Sequence, residues 1–150
     1  MNKEKFTEEL LIDEKNINTP QFENIELNYI EEGDQLIEQG DFDRAIIDYT
    51  KAISLYDNDE DRAMSYLYRS TAYIAKSDYH NAITDTNAAI KTGYFLDNAY
   101  LARGIAYLNL GPMGQAFDDW KKSADLGCKG ALIKLKENGI IYTPIKKEEK

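Results

Sequence analysis

The chain has 150 residues, 43% of them hydrophobic and 30% charged, with a net charge of −9. That length suits one domain with its own core, and the composition excludes a disordered chain. Residues 28–62 carry three basic and eleven acidic groups, net −8, which argues against nucleic-acid binding, where a basic surface must displace counterions.

Residues 1–25 open with Phe6, Leu10 and Leu11 at the spacing of one short amphipathic helix, between about residues 3 and 14. A disordered acidic leader is the alternative. The stretch lacks the apolar run of a signal peptide, and nothing in the chain approaches the ~20 apolar residues of a membrane span. A cytoplasmic location and no membrane contact are therefore expected. Asn16 to Pro20 then reads as a turn or linker.

From Glu26 a pattern occurs three times. DFDRAIIDYTKAI (Asp41 to Ile53) returns as DYHNAITDTNAAI (Asp78 to Ile90) and as PMGQAFDDWKKSA (Pro112 to Ala124). Its anchoring alanines are Ala45, Ala82 and Ala116, and periods in this range mean stacked supersecondary units. The repeats span about 26–59, 63–96 and 97–130, each dividing into two helices. The first helices end at Gly40, Ser77 and Gly111, where a left-handed residue stops a helix. The second helices start at the N-caps Asp41 and Asp78, or with Pro112 in the first turn. The small residues Gly33, Ser70 and Gly104 are expected to face Ala45, Ala82 and Ala116, bringing the two axes close. Tyr49, Trp120, Ala52 and Ala89 are expected to fill the seam between hairpins. Beyond Gly127, Lys129 to Glu137 predicts a terminal helix that covers the bare end of the array, ending at Asn138-Gly139. Residues 140–150 read as a tail, with Ile140 to Tyr142 tucked against that helix.

These residues resemble the tetratricopeptide repeat family, with three repeats of the bacterial type. Repeat one supplies Tyr29, Glu32, Gly33, Leu36, Ala45, Tyr49 and Ala52; repeat two Tyr66, Arg69, Ser70, Tyr73, Ala82, Thr86 and Ala89. Repeat three supplies Tyr100, Arg103, Gly104, Tyr107, Ala116, Trp120 and Ser123. The resemblance implies an all-α, right-handed superhelix of antiparallel helix pairs, here with a C-terminal capping helix over residues 26–139. Glu32, Arg69 and Arg103 depart from the family's apolar position, and Thr86 from its aromatic one. Asp48, Asp85 and Asp119 share one repeat position, so Arg69 and Arg103 are expected to form structural ion pairs with these acids.

No catalytic arrangement can be assembled. His80, the sole histidine, falls on a polar helix face, and the lone Cys128 has no histidine nearby in sequence and cannot close an intramolecular disulfide. The run Asp57 to Asp61 resembles the opening of a calcium loop. Arg62 and Tyr68 stand where that loop needs glycine and glutamate, so the acids are read as the start of the next helix. No enzyme activity, cofactor or metal is expected.

The resemblance instead implies a concave groove lined by the first helices, and a protein partner. The lining would be Leu27, Ile30, Asp34 and Ile37, then Met64, Leu67, Tyr68, Thr71 and Ile74. Repeat three would add Asn98, Leu101, Ala102, Ile105 and Leu108. One subclass of the family grips acidic chaperone tails with basic groove residues. The matching positions here hold Ile30, Asp34, Tyr68, Asn98 and Ala102, so that clamp is not expected. An apolar groove suits an amphipathic helix or extended apolar peptide. Three readings follow: an adaptor for another protein, an escort for an unfolded client segment, or a groove filled by the Phe6–Leu11 segment or a second copy.

Overall fold

A computed structural model describes residues 20–145, with side chains placed from residue 29 onward; the Phe6–Leu11 segment and the last five residues lie outside the described residues. The described chain folds as α1 (Pro20–Glu38), α2 (Phe42–Leu55), α3 (Asp59–Ala75), α4 (Tyr79–Thr92), α5 (Leu96–Leu110), α6 (Met113–Asp125) and α7 (Lys129–Glu137). It is all-α. Each helix packs on the next in sequence, giving three antiparallel hairpins and a closing helix, and α3 also meets α5. The first helix starts at Pro20, ahead of Glu26 where the repeat begins to match, because proline is tolerated in a first turn.

The local signals act through backbone chemistry. Gly40, Ser77 and Gly111 are left-handed, with φ of 77°, 61° and 111°. At Ser77 the turn is held by Ser77 N–H to the Ile74 carbonyl at 2.9 Å and Asp78 N–H to the Tyr73 carbonyl at 2.8 Å, the pairing of a helix stopped by a left-handed residue. Asp41 and Asp78 cap α2 and α4 by accepting from the backbone N–H of Arg44 and Asn81. In the Asp57–Asp61 run, Asn58 caps α3 through the Asp61 N–H at 2.8 Å, leaving Asp59, Glu60 and Asp61 in the first turn.

The core is built mostly of alanine. Ala45, Ala52, Ala63, Ala72, Ala82, Ala89, Ala99, Ala106 and Ala116 have no exposed surface, and Tyr49 and Trp120 are the large side chains buried with them. The glycines of the first helices also face aromatic rings of the second. A Cβ placed on Gly33 would sit 2.5 Å from Tyr49 Cε1, and one on Gly104 would sit 2.5 Å from Trp120 Cδ1. The glycines therefore make room for aromatic rings, and Gly104 also comes close to Ala116 as expected, with the alanine carbonyl oxygen 3.0 Å from the Cβ placed on that glycine. In repeat two the small Thr86 replaces the ring, and Ser70 replaces the glycine. Both are buried. The larger serine and the smaller threonine of that repeat thus offset each other in volume.

At the far end, Ala131 and Leu135 of α7 close over Trp120 and Ala124, with Ile140 and Tyr142 packed on the same cluster. The Tyr142 hydroxyl reaches Asp125 at 2.9 Å. Ile141 points outward and is 99% exposed, because an extended chain alternates its faces.

Candidate functional site

The first helices of repeats two and three enclose an open cavity of about 420 Å³, within the ~300–1,000 Å³ range of ligand pockets. Met64, Leu67, Tyr68, Thr71 and Ile74 of α3 line one side, and Asn98, Leu101, Ala102 and Ile105 of α5 the other. Their spacing of three and four residues puts each set on one helix face. Among the described residues, no charged side chain lines the cavity.

Repeat one contributes differently from what its register implies. Asp34 turns its Oδ1 to the Tyr49 hydroxyl at 2.6 Å. Ile37 packs on the cluster of Leu36, Ala45, Tyr49 and Ala72. Neither these two nor Ile30 lines the cavity, and Leu108 packs towards Trp120 and α7 instead. Leu27 lies ahead of the described side chains. The Tyr49 ring, stacked on Tyr68 at 5.6 Å and 15°, connects this buried cluster to the cavity wall. Burial, then the Asp34 hydrogen bond and charge, push the Tyr49 phenol well above its usual value.

Phe95 also lines the cavity, although no repeat position predicts it. It precedes α5 in a left-handed conformation, φ 49° and ψ 38°, which is unusual for a bulky residue. The aromatic pair Tyr94-Phe95 just before a first helix is the signal that could have found it.

The arginines are turned away from the cavity. Arg69 grips Asp85 with Nε at 2.8 Å and Nη2 at 2.7 Å, and its Nη1 reaches Thr50 Oγ1 of the preceding hairpin at 2.8 Å. Arg103 repeats this on Asp119, at 2.7 and 2.9 Å, and reaches Asn87 Oδ1 at 2.6 Å. Tyrosines one turn before and after flank each guanidinium: Tyr66 and Tyr73 lie 5.7 and 5.9 Å from Arg69, and Tyr100 and Tyr107 lie 5.3 and 5.8 Å from Arg103. Each arginine therefore ties its own hairpin and the one before. The carboxylates hold both guanidinium groups above their usual range. Burial pushes the Asp85 carboxyl up, with Arg69 pulling it back.

Asp48 differs from its two counterparts. Glu32 occupies the arginine position in repeat one, so Asp48 pairs with Lys51 at 2.8 Å instead. Lys51 also lies 4.9 Å from the Tyr29 ring. The cation of that seam thus comes from α2. Elsewhere His80 is exposed. Among the described residues no group of three or more His, Cys, Asp or Glu is placed to hold a metal, and no helix is long and apolar enough to cross a membrane.

No family model matches the chain. In sequence it is 33% identical over 98 residues to zebrafish protein unc-45 homolog B, a match covering 64% of this chain and 10% of that protein. It is 27% identical over 106 residues to the yeast heat shock protein STI1, covering 71% and 18% respectively. The chain thus spans less than a fifth of the length of these curated relatives. In structure it is similar to the second tetratricopeptide repeat domain of human RPAP3, solved with the HSP70 peptide SGPTIEEVD. That match has a TM-score of 0.68 and 25% identity, over 80% of this chain and 99% of that one. The first such domain of Spaghetti (RPAP3), bound to the HSP90 peptide SRMEEVD, gives 0.68 and 25% over 77% and 91%. The chain carries the helical-hairpin superhelix fold of tetratricopeptide repeat domains.

Proposed function

We propose that this chain is a three-repeat tetratricopeptide adaptor that holds an apolar segment of another protein between α3 and α5. The observation that carries this reading is the uncharged, mainly apolar cavity on the first helices, with both nearby arginines committed to buried aspartates. A non-enzymatic, cytoplasmic interaction module fits this architecture.

The ligand class differs from that of the structural relatives. The RPAP3 domains were solved with peptides ending in EEVD, whose carboxylates need cations. Here the corresponding positions hold Ile30, Asp34, Tyr68, Asn98 and Ala102, none of them basic. An acidic chaperone tail would find no counter-charge. The named relatives are eukaryotic, so they lend nothing to the bacterial type.

The test is a titration of the full chain with an uncharged leucine-faced peptide, repeated on Ile74→Asp and Leu101→Asp variants with folding checked by circular dichroism. Saturable binding lost in both variants supports the reading. Equal binding by wild type and variants would sink it. An escort would differ from an adaptor by capturing unfolded client segments in place of one discrete folded partner. Filling of the groove by the N-terminal segment predicts that removal of residues 1–19 increases binding of an apolar dye.

A further inference from the structure

The helix that repeat one contributes is acidic throughout. The sequence of α1, PQFENIELNYIEEGDQLIE, contains six acids and no lysine or arginine. Asp34 sits at the groove register of that helix, with Glu31 and Glu38 about one turn to either side. None of these three forms an ion pair among the described residues. Asp34 is linked to the cavity through the Tyr49 hydroxyl and the Tyr49–Tyr68 stack, and only its Oδ1 is used. The groove stripe of α3 continues N-terminally from Met64 to Glu60 and Asp61, and that of α5 from Leu101 to Asp97. An uncharged apolar floor therefore lies among registers of α1, α3 and α5 that carry carboxylates; the lysines of α7 border it only on the side of Leu101, where Gly130 packs.

We infer that the segment held here is amphipathic, with lysine or arginine flanking its apolar side. This rests on the groove reading above and adds its charge. Single exposed carboxylates contribute little, but several of one sign create a field that raises the association rate of a basic segment and rejects an acidic one. The sign is opposite to that required by the EEVD peptides of the structural relatives.

The experiment uses three synthetic helical peptides with one shared leucine face and flanks of Lys, Gln or Glu, titrated by fluorescence anisotropy into the full chain. The Lys peptide should bind about tenfold more tightly than the Glu peptide at low salt, and the gap should close by ~0.3 M salt. Glu31→Gln combined with Glu38→Gln should narrow that gap and leave the Gln peptide unchanged, since both side chains are exposed and neither lines the cavity. Asp118→Asn, on α6 and outside the groove, should leave the gap intact. Equal binding of the Lys and Glu peptides overturns the charge assignment while the groove reading stands. So does an equal narrowing by Asp118→Asn, which would mean attraction to net charge alone. A concentration-dependent dimer that the Gln and Lys peptides displace equally would make a second copy the occupant, overturning the inference. Failure of all three peptides to bind sinks the groove reading itself.

Discussion

Gly104→Ala should destabilise the protein, against the usual gain for a glycine inside a helix. An open helical glycine gains about 1 kcal/mol on replacement by alanine. At Gly104 the new methyl would fall 2.5 Å from Trp120 Cδ1 and 3.0 Å from the Ala116 carbonyl oxygen. Trp120 cannot readily withdraw. It has no exposed surface, and its indole N–H donates to the Leu101 carbonyl at 3.2 Å. Overpacking of this kind costs about 1–3 kcal/mol, and moving the ring also weakens that hydrogen bond, worth roughly 1 kcal/mol. The net expectation is a loss of about 1–3 kcal/mol after the propensity gain. Urea unfolding followed by Trp120 fluorescence reads it directly, because Trp120 is the sole tryptophan. Gly114→Ala is the control: nothing lies within 4 Å of a Cβ there, so stability should hold or rise. A stabilised Gly104→Ala variant would refute the claim that glycine and ring are one packing unit.

Four further outcomes follow from the same structure. Ser77→Gly should stabilise by about 0.5–1 kcal/mol in thermal unfolding, since it relieves a left-handed serine; an unchanged midpoint would contradict this. Asp119→Leu should cost about 3–5 kcal/mol by stranding Arg103, whereas replacing Arg103 and Asp119 together by apolar residues should recover most of it. Tyr49 has its phenol raised by burial and Asp34, so the unfolded chain ionises it first, near pH 10. Its stability contribution is therefore complete below about pH 10 and lost as pH rises. The urea midpoint should fall between pH 8 and pH 11, and less so in Tyr49→Phe; equal falls would exclude this link. Phe95→Ala should weaken binding of an apolar peptide several-fold at unchanged fold, because Phe95 closes part of the cavity wall.

Much of this architecture is legible in the chain because it follows from local chemistry at a fixed period. Gly40, Ser77 and Gly111 stop helices through backbone geometry, and Asp41 and Asp78 start them through capping. The alanine period identifies the hairpins. Arg69 and Arg103 could be matched to acids because both members recur at constant offsets. What escaped depends on side-chain reach. Long side chains on a helix lean towards its N-terminus, so the Tyr49 and Trp120 rings cover the level of Ala45 and Ala116 and meet Gly33 and Gly104. A one-dimensional alignment shows the alanine there and misses the ring. Asp48 was expected to find an arginine, but the repeat position across from it holds Glu32, and a lysine one turn away on its own helix takes the role. Phe95 lies in a connection, outside the repeat register, so periodicity gave no reason to include it in the groove. Asp34 holds the groove register of α1, yet it hydrogen-bonds Tyr49 and leaves the cavity to α3 and α5.

The central claim is that the α3–α5 groove binds an apolar segment. Chemical-shift mapping of the isotopically labelled chain with the uncharged leucine-faced peptide tests it residue by residue. Shifts should concentrate at Leu67, Tyr68, Ile74, Phe95, Leu101 and Ile105, and the acidic peptide SRMEEVD should produce none that saturate. Saturable shifts from the acidic peptide at these residues, or apolar-peptide shifts confined to α2, α4 and α6, would contradict the account.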